Sequence, residues 1–175
     1  METIQAILSR KSTRSYKDTP ISEEALNTIL EAGMSAPVGS GAYASLHLTV
    51  VQDWKLFSEI NTAVNDMIFK MLGKHMDKSF GAPAMIFVSS KPAMLPGLEY
   101  ANAACVLENM AIAATSMGID NIIWGGAAAV AQSTELSEKL GIPAGFKPLL
   151  CISLGYGTNE ESPKKHEISV NRVKE

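Results

Sequence analysis

Residues 101–119 read ANAACVLENMAIAATSMGI. From Tyr100 to Met117 this run is alanine-rich, with Val106, Leu107, Met110 and Ile112 spread nearly all round a helical wheel and Glu108 as its one charge. A helix that is apolar on every side is a buried one, and Gly118 supplies the residue type that ends helices in the left-handed conformation. A membrane span needs about 18 uninterrupted apolar residues, and Glu108, Asn102 and Asn109 break this stretch. The run therefore predicts a central helix inside a folded domain.

Working outward, both flanks supply elements to cover it. Downstream, IDNIIW (119–124) reads as a short strand running into Gly125 and Gly126, followed by the small residues AAAVA. TELSEKL (134–140) is a helix that stops at Gly141 and Pro143. PLLCISLG (148–155) is a buried strand, and beyond Gly157 the chain turns charged and irregular as SPKKHEISVNRVKE. Upstream, FGAP (80–83) breaks a helical stretch running from Asp53 to about Met76, and AMIFVSS (84–90) follows as a strand. LHLTVV (46–51) alternates Leu46, Leu48 and Val50 as a half-buried strand does. Ser22 caps another helix, with Glu23 and Glu24 at its positive end, Ile21 placed to staple onto Leu26, and apolar periodicity as far as Pro37. Thr3–Ser9 forms a short helix with Ile4, Ile7 and Leu8 on one face.

Composition narrows the class. The 175 residues are 46% hydrophobic and 19% charged, which is globular. A net charge of -3 argues against a nucleic-acid partner, which favours a basic face. No basic run followed by an apolar stretch opens the chain, so no signal peptide is expected and the location is read as cytoplasmic. Cys105 and Cys151 stand far apart in apolar runs and are expected as two buried thiols.

Several motifs fail on context. GSGAYA formally fits a dinucleotide fingerprint at Gly39, Gly41 and Ala44, but a helix precedes it and a strand follows, the reverse of the required order. No Gly-Lys-Ser/Thr loop and no GxSxG elbow occur. His47, His75 and His166 share no metal-ligand spacing, and His47 is expected as an ordinary strand histidine. The carboxylates Glu23, Glu24, Glu31, Glu135 and Glu138 read as solvated helix faces.

RKSTRSY (10–16) is different. Arg10 and Arg14 can converge on one anion with planar forks of donors, and Ser12 adds a hydroxyl. Those are the groups a phosphate monoester needs, although an ordinary solvated basic turn has the same composition.

The order of landmarks resembles the nitroreductase family of FMN-dependent oxidoreductases. RxSxR after a short helix, the PISEE helix start, SAP and a glycine loop before a strand all take part. So do GAP before the second strand, the long central helix, NIIWGG, LGIPAGFKPLLCISLGYG and the tail lysines. The resemblance implies an α+β fold, a central sheet flanked by helices, built as an intertwined homodimer from one domain over residues 1–175. Residues 157–175 would form a tail wrapping the partner subunit. It implies FMN at the dimer interface. Arg10, Lys11, Ser12 and Arg14 would serve the phosphate and ribityl chain, with Lys164 or Lys165 returning to the same phosphate. Pro37, Val38 and Gly39 would lie along the flavin ring, with Trp124, Gly125 and Gly126 on its other side. Trp124 reads equally well as a core aromatic.

No acid, base or nucleophile stands out, which suits flavin chemistry. The implied activity is ping-pong hydride transfer from NAD(P)H through FMN to a nitroaromatic, quinone or similar small acceptor. Dehalogenation, desaturation and non-enzymatic flavin binding are the alternatives. Many family members carry an Asn-x-Gln-Pro-Trp-type motif before the first strand; here the stretch is GAYASLH, with neither that Asn nor the Pro-Trp pair.

Overall fold

The computed structural model describes residues 1–74, 80–159, 162–164 and 166–174. Four strands make one antiparallel sheet: β1 (Leu46–Val51), β2 (Ala84–Ser90), β3 (Asp120–Trp124) and β4 (Lys147–Gly155), in the order β1-β2-β4-β3. The helices are α1 (Thr3–Ser9), α2 (Glu23–Met34), α3 (Trp54–Leu72), α4 (Leu98–Ser116), α5 (Gly126–Val130) and α6 (Thr134–Lys139). This is an α+β fold with helices on both faces of the sheet.

The alternation of the strands builds two cores. Ala84, Ile86 and Val88 of β2, with Ile152 and Leu154 of β4, pack under α2 and α4. Met85 and Phe87, with Cys151, face the other way onto Ile60 and Val64 of α3 and onto α5. Every residue of β2 is buried, as befits an interior strand covered on both faces.

Local signals end the elements where the residue types require. Ser22 Oγ accepts from the Ala25 N–H at 3.2 Å, and Ile21 and Leu26 share one core. Asp53 Oδ1 caps α3 through the Leu56 N–H at 2.9 Å. Helix α3 ends at Leu72, before Gly73 in the left-handed conformation with φ 65°; Met76, the expected end, lies outside the described residues. The loop containing GSGAYA forms two short 3-10 turns, Gly39–Gly41 and Tyr43–Ser45, that lead into β1. The chain passes from these turns into β1 and no α-helix begins there, in line with setting the dinucleotide fingerprint aside.

Helix α4 departs from expectation. Ala103, Leu107, Met110, Ala111 and Ala114 are fully buried, but Ala101, Ala104, Cys105 and Glu108 are exposed. The exposed set is spaced i, i+3, i+4, i+7, which is one continuous helical stripe. Cys105 is therefore not a buried thiol in this chain, whereas Cys151 is. The composition recorded a helix suited to cover on every side; the chain itself covers only one.

Candidate functional site

Residues 10–16 lie along the outer edge of β3. The Thr13 N–H donates to the Asn121 carbonyl at 3.0 Å, and Ser12 pairs with Asn121 as a parallel bridge. Tyr16 pairs with Gly157, while the Lys17 N–H reaches the Tyr156 carbonyl at 2.8 Å. The segment is thus an extended rim stitched to β3 and to the end of β4. The buried Tyr16 hydroxyl donates back to the Thr13 carbonyl at 2.9 Å, and burial pushes its phenol pKa far up.

In an extended segment successive side chains alternate in direction. Lys11 Nζ lies 3.9 Å from Asp120 Oδ1, and the Thr13 hydroxyl donates to the same oxygen at 3.3 Å. Lys11 and Thr13 therefore point back to Asp120, and by the alternation of an extended segment Arg10, Ser12 and Arg14 fall at the other set of positions. Arg10 and Arg14 have no carboxylate partner among the described residues; Arg14 Nη1 donates to the Ser12 carbonyl at 3.2 Å. Two guanidinium groups without a carboxylate partner on one rim are the groups that can hold an anion.

Arg14 also borders a cleft of about 410 Å³ walled by Met67, Ile68 and Met71 of α3 and by Ile123, Trp124 and Gly125. A smaller notch beside it is lined by Thr13, Arg14, Ser15 and Asn159. Apolar cleft and polar notch meet at Arg14, so the shape suits a ligand with a flat apolar body and an anionic end.

Trp124 is tied into the core and also lines the cleft. Its indole N–H donates to Ser153 Oγ at 2.8 Å, and the Phe80 ring stands edge-on at 5.7 Å. Gly126 lies beneath the indole, where a Cβ would come within 2.7 Å of the ring. The N–H groups of Ala127 and Gly126 turn toward the Cys151 sulfur, whose thiol is pushed up to about 12 by burial. Of the glycine pair, then, only Gly125 opens on the cleft; no atom lies within 4 Å of where its Cβ would stand.

The loop Pro37–Gly39 lies elsewhere. The Gly39 N–H donates to Asn102 Oδ1 of α4 at 2.9 Å, and a Cβ on Gly39 would meet Leu98 at 2.9 Å. Val38 is buried and Pro37 exposed. This loop feeds β1, while residues 10–14 line β3 at the opposite edge of the sheet. Three strand spacings separate those edges, about 14 Å. Lys164 is exposed in the tail, and Lys165 lies outside the described residues.

His47 sits half-buried in β1 with its ring 5.8 Å from that of Phe146, as an ordinary strand histidine does. Among the described residues no group of His, Cys, Asp or Glu could hold a metal ion, and no helix is long and apolar enough to cross a membrane. Sequence reasoning missed Asp120, which stands 107 residues from Thr13 in the chain and belongs to no motif.

The profile of the Nitroreductase family matches residues 7–156. A nitroreductase with bound FMN from Bacteroides fragilis superimposes with a TM-score of 0.85 at 27% identity, over 99% of this chain and 98% of that one. A second, from Desulfitobacterium hafniense and also with bound FMN, gives 0.83 at 27% identity over 98% and 100% of the two chains. A curated NADPH-flavin oxidoreductase of Vibrio harveyi is 26% identical over 159 residues, 88% of this chain and 65% of that protein. With the family profile matched over residues 7–156, most of its length, the chain belongs to the nitroreductase family.

Proposed function

We propose that the protein is an FMN-dependent oxidoreductase that passes hydride from NAD(P)H to a small acceptor, a nitroaromatic, a quinone or a similar compound. One observation carries the reading. Arg10 and Arg14, without carboxylate partners among the described residues, share a rim that opens at Arg14 into the apolar cleft beside Trp124 and Gly125. The FMN-bound relatives, at similar size and 27% identity, support the same ligand.

The residues fit that cofactor. Arg10, Ser12 and Arg14 would hold the phosphate through charge-assisted bonds. The walls of α3 and β3 would cover the ring, and Gly125 would let a flat surface approach the backbone. When bound, FMN supplies the two-electron chemistry, and the protein supplies binding, orientation and exclusion of water. No described side chain in the cleft is an acid or base other than Arg14, so the chain's contribution is positional.

The placement of Pro37–Gly39 favours a two-chain site. In a single chain residues 10–14 line β3 while this loop packs on the first turns of α4 and leads toward β1 at the far edge, and a second copy would bring such a loop to a flavin on the first. The exposed stripe Ala101, Ala104 and Cys105 on α4, and the tail with Ile168, Val170 and Val173 exposed, offer that copy apolar surface. Gly157 and Thr158 stay bonded to their own chain; of the expected tail 157–175 we read the part beyond them as wrapping the second copy, with Lys164 or Lys165 reaching the phosphate, and the location as cytoplasmic.

The absorbance spectrum of the purified protein tests the reading directly. Flavin bands that bleach on anaerobic NADH or NADPH addition and return with menadione or nitrofurazone are the expected result. A colourless protein that cannot be loaded with FMN removes the proposal. A yellow protein that no nicotinamide reduces leaves a flavin-binding protein without this activity.

A further inference from the structure

We propose that Asp120 is the positioning residue of the anion cradle, a single carboxylate that fixes the back of residues 10–14 and the base of the C-terminal segment to the start of β3. The inference rests on reading FMN as the ligand. Asp120 opens β3. Its Oδ1 accepts the Thr13 hydroxyl at 3.3 Å and lies 3.9 Å from Lys11 Nζ. Its Oδ2 accepts the Gly157 N–H at 2.9 Å. Three segments far apart in the chain thus meet on one side chain.

Two further details show that the contact is built. A Cβ on Gly157 would stand 2.6 Å from Asp120 Oδ2 and 3.1 Å from Thr13 Cγ2, so only glycine lets the carboxylate reach that N–H. Lys11 Nζ also donates to the Asn159 carbonyl at 3.5 Å, which ties the same rim to the same stretch after β4. Holding Lys11 and Thr13 behind the rim is what commits Arg10, Ser12 and Arg14 to its front. Fixing donors in the geometry of the bound state reduces the ordering cost of binding.

The sign of the effect separates this role from simple electrostatics. An acidic group behind an anion site repels the anion, so by Coulomb's law alone its removal strengthens phosphate binding. A positioning role demands the opposite. Asp120→Ala should weaken FMN binding even though it removes a negative charge.

The experiment titrates the full-length, flavin-stripped protein with FMN and with riboflavin, which shares the ring but lacks the phosphate, following quenching of flavin fluorescence. In Asp120→Ala the FMN dissociation constant is expected to rise about ten- to hundredfold while that of riboflavin holds at the parent value. Asp120→Asn, which keeps an acceptor, should fall between parent and Asp120→Ala. Gly157→Ala, which displaces the carboxylate without altering its charge, should shift in the same direction as Asp120→Ala. If Asp120→Ala does not fold, Gly157→Ala and Asp120→Asn decide. FMN binding that is unchanged or tighter in these variants overturns the proposal, and so does an equal loss for FMN and riboflavin, which is a general structural defect. A parent that binds both flavins equally sinks the FMN-phosphate reading itself, a result distinct from a parent that prefers FMN and variants that keep that preference.

Discussion

At the scale of single residues, Arg14 carries the most weight, because among the described residues it is the one side chain common to the basic rim, the polar notch and the apolar cleft. Replacing it with alanine removes one charge-assisted contact to an anion, worth about 1.5–3 kcal/mol, or one to two decades of affinity. The expected variant is folded but pale as isolated, with its weakened FMN constant measured by fluorescence titration; retention of flavin at parental affinity argues that the rim binds no phosphate. Cys151 makes a different kind of claim. Burial raises its thiol from 9.0 to about 12, so the folded chain resists forming the thiolate. The stability this gives is complete below pH 9 and is lost as pH rises from there toward 12, at up to about 1.4 kcal/mol per pH unit. Melting temperatures between pH 8 and 10 should fall less steeply in Cys151→Ala than in the parent. Parallel slopes would show that the thiol does not control this window.

At the scale of elements, helices and strands were legible because periodicity and caps are local: Ser22, Asp53 and Gly118 mark boundaries with residue types that serve few other purposes. Which side of α4 the chain covers was not legible, since an alanine-rich helix records total cover and not its source. The basic rim was readable as a cluster, but its anchor was not, because Asp120 meets Thr13, Lys11 and Gly157 only after β3 and β4 have paired. The glycines show how contact between elements decides cost. A Cβ on Gly155 would meet Pro83 Cδ at 2.5 Å and Tyr16 Cδ1 at 2.9 Å, both atoms of rigid rings. One on Gly33 would run into the Met110 methyl and stand 2.8 Å from its Cγ, a flexible side chain that has to change rotamer within the core. Gly155→Ala should cost about 1–3 kcal/mol by overpacking. Gly33→Ala should cost less than Gly155→Ala, because methionine can change rotamer where rings cannot and alanine's helix preference of about 1 kcal/mol offsets part of the repacking. Urea midpoints measure both, and equal losses would mean that Met110 cannot move aside.

At the scale of the whole molecule, residues 10–14 line β3 at one edge of the sheet, the loop of Pro37–Gly39 packs on α4, and the tail leaves apolar side chains open. The tail exposes Ile168 by 87%, Val170 by 75% and Val173 by 97%, values typical of chain without cover. Three such residues on one segment cost solvation that a neighbour can recover, each worth about 1.5–3 kcal/mol when fully buried. Gly157 and Thr158 belong to the chain's own fold through Asp120 and the Ser15 carbonyl, so the informative truncation begins after them. Deleting residues 162–175 should leave the sheet intact, as judged by far-ultraviolet circular dichroism, while shifting the mass seen by light scattering from dimer toward monomer. Flavin should be lost over the same range of dilution, because one event removes both the partner's loop and the tail lysines. The coincidence of the two losses is the test: a truncated monomer holding its full complement of flavin would mean that each chain completes its own site, and the exposed stripe of α4 would then need a different partner.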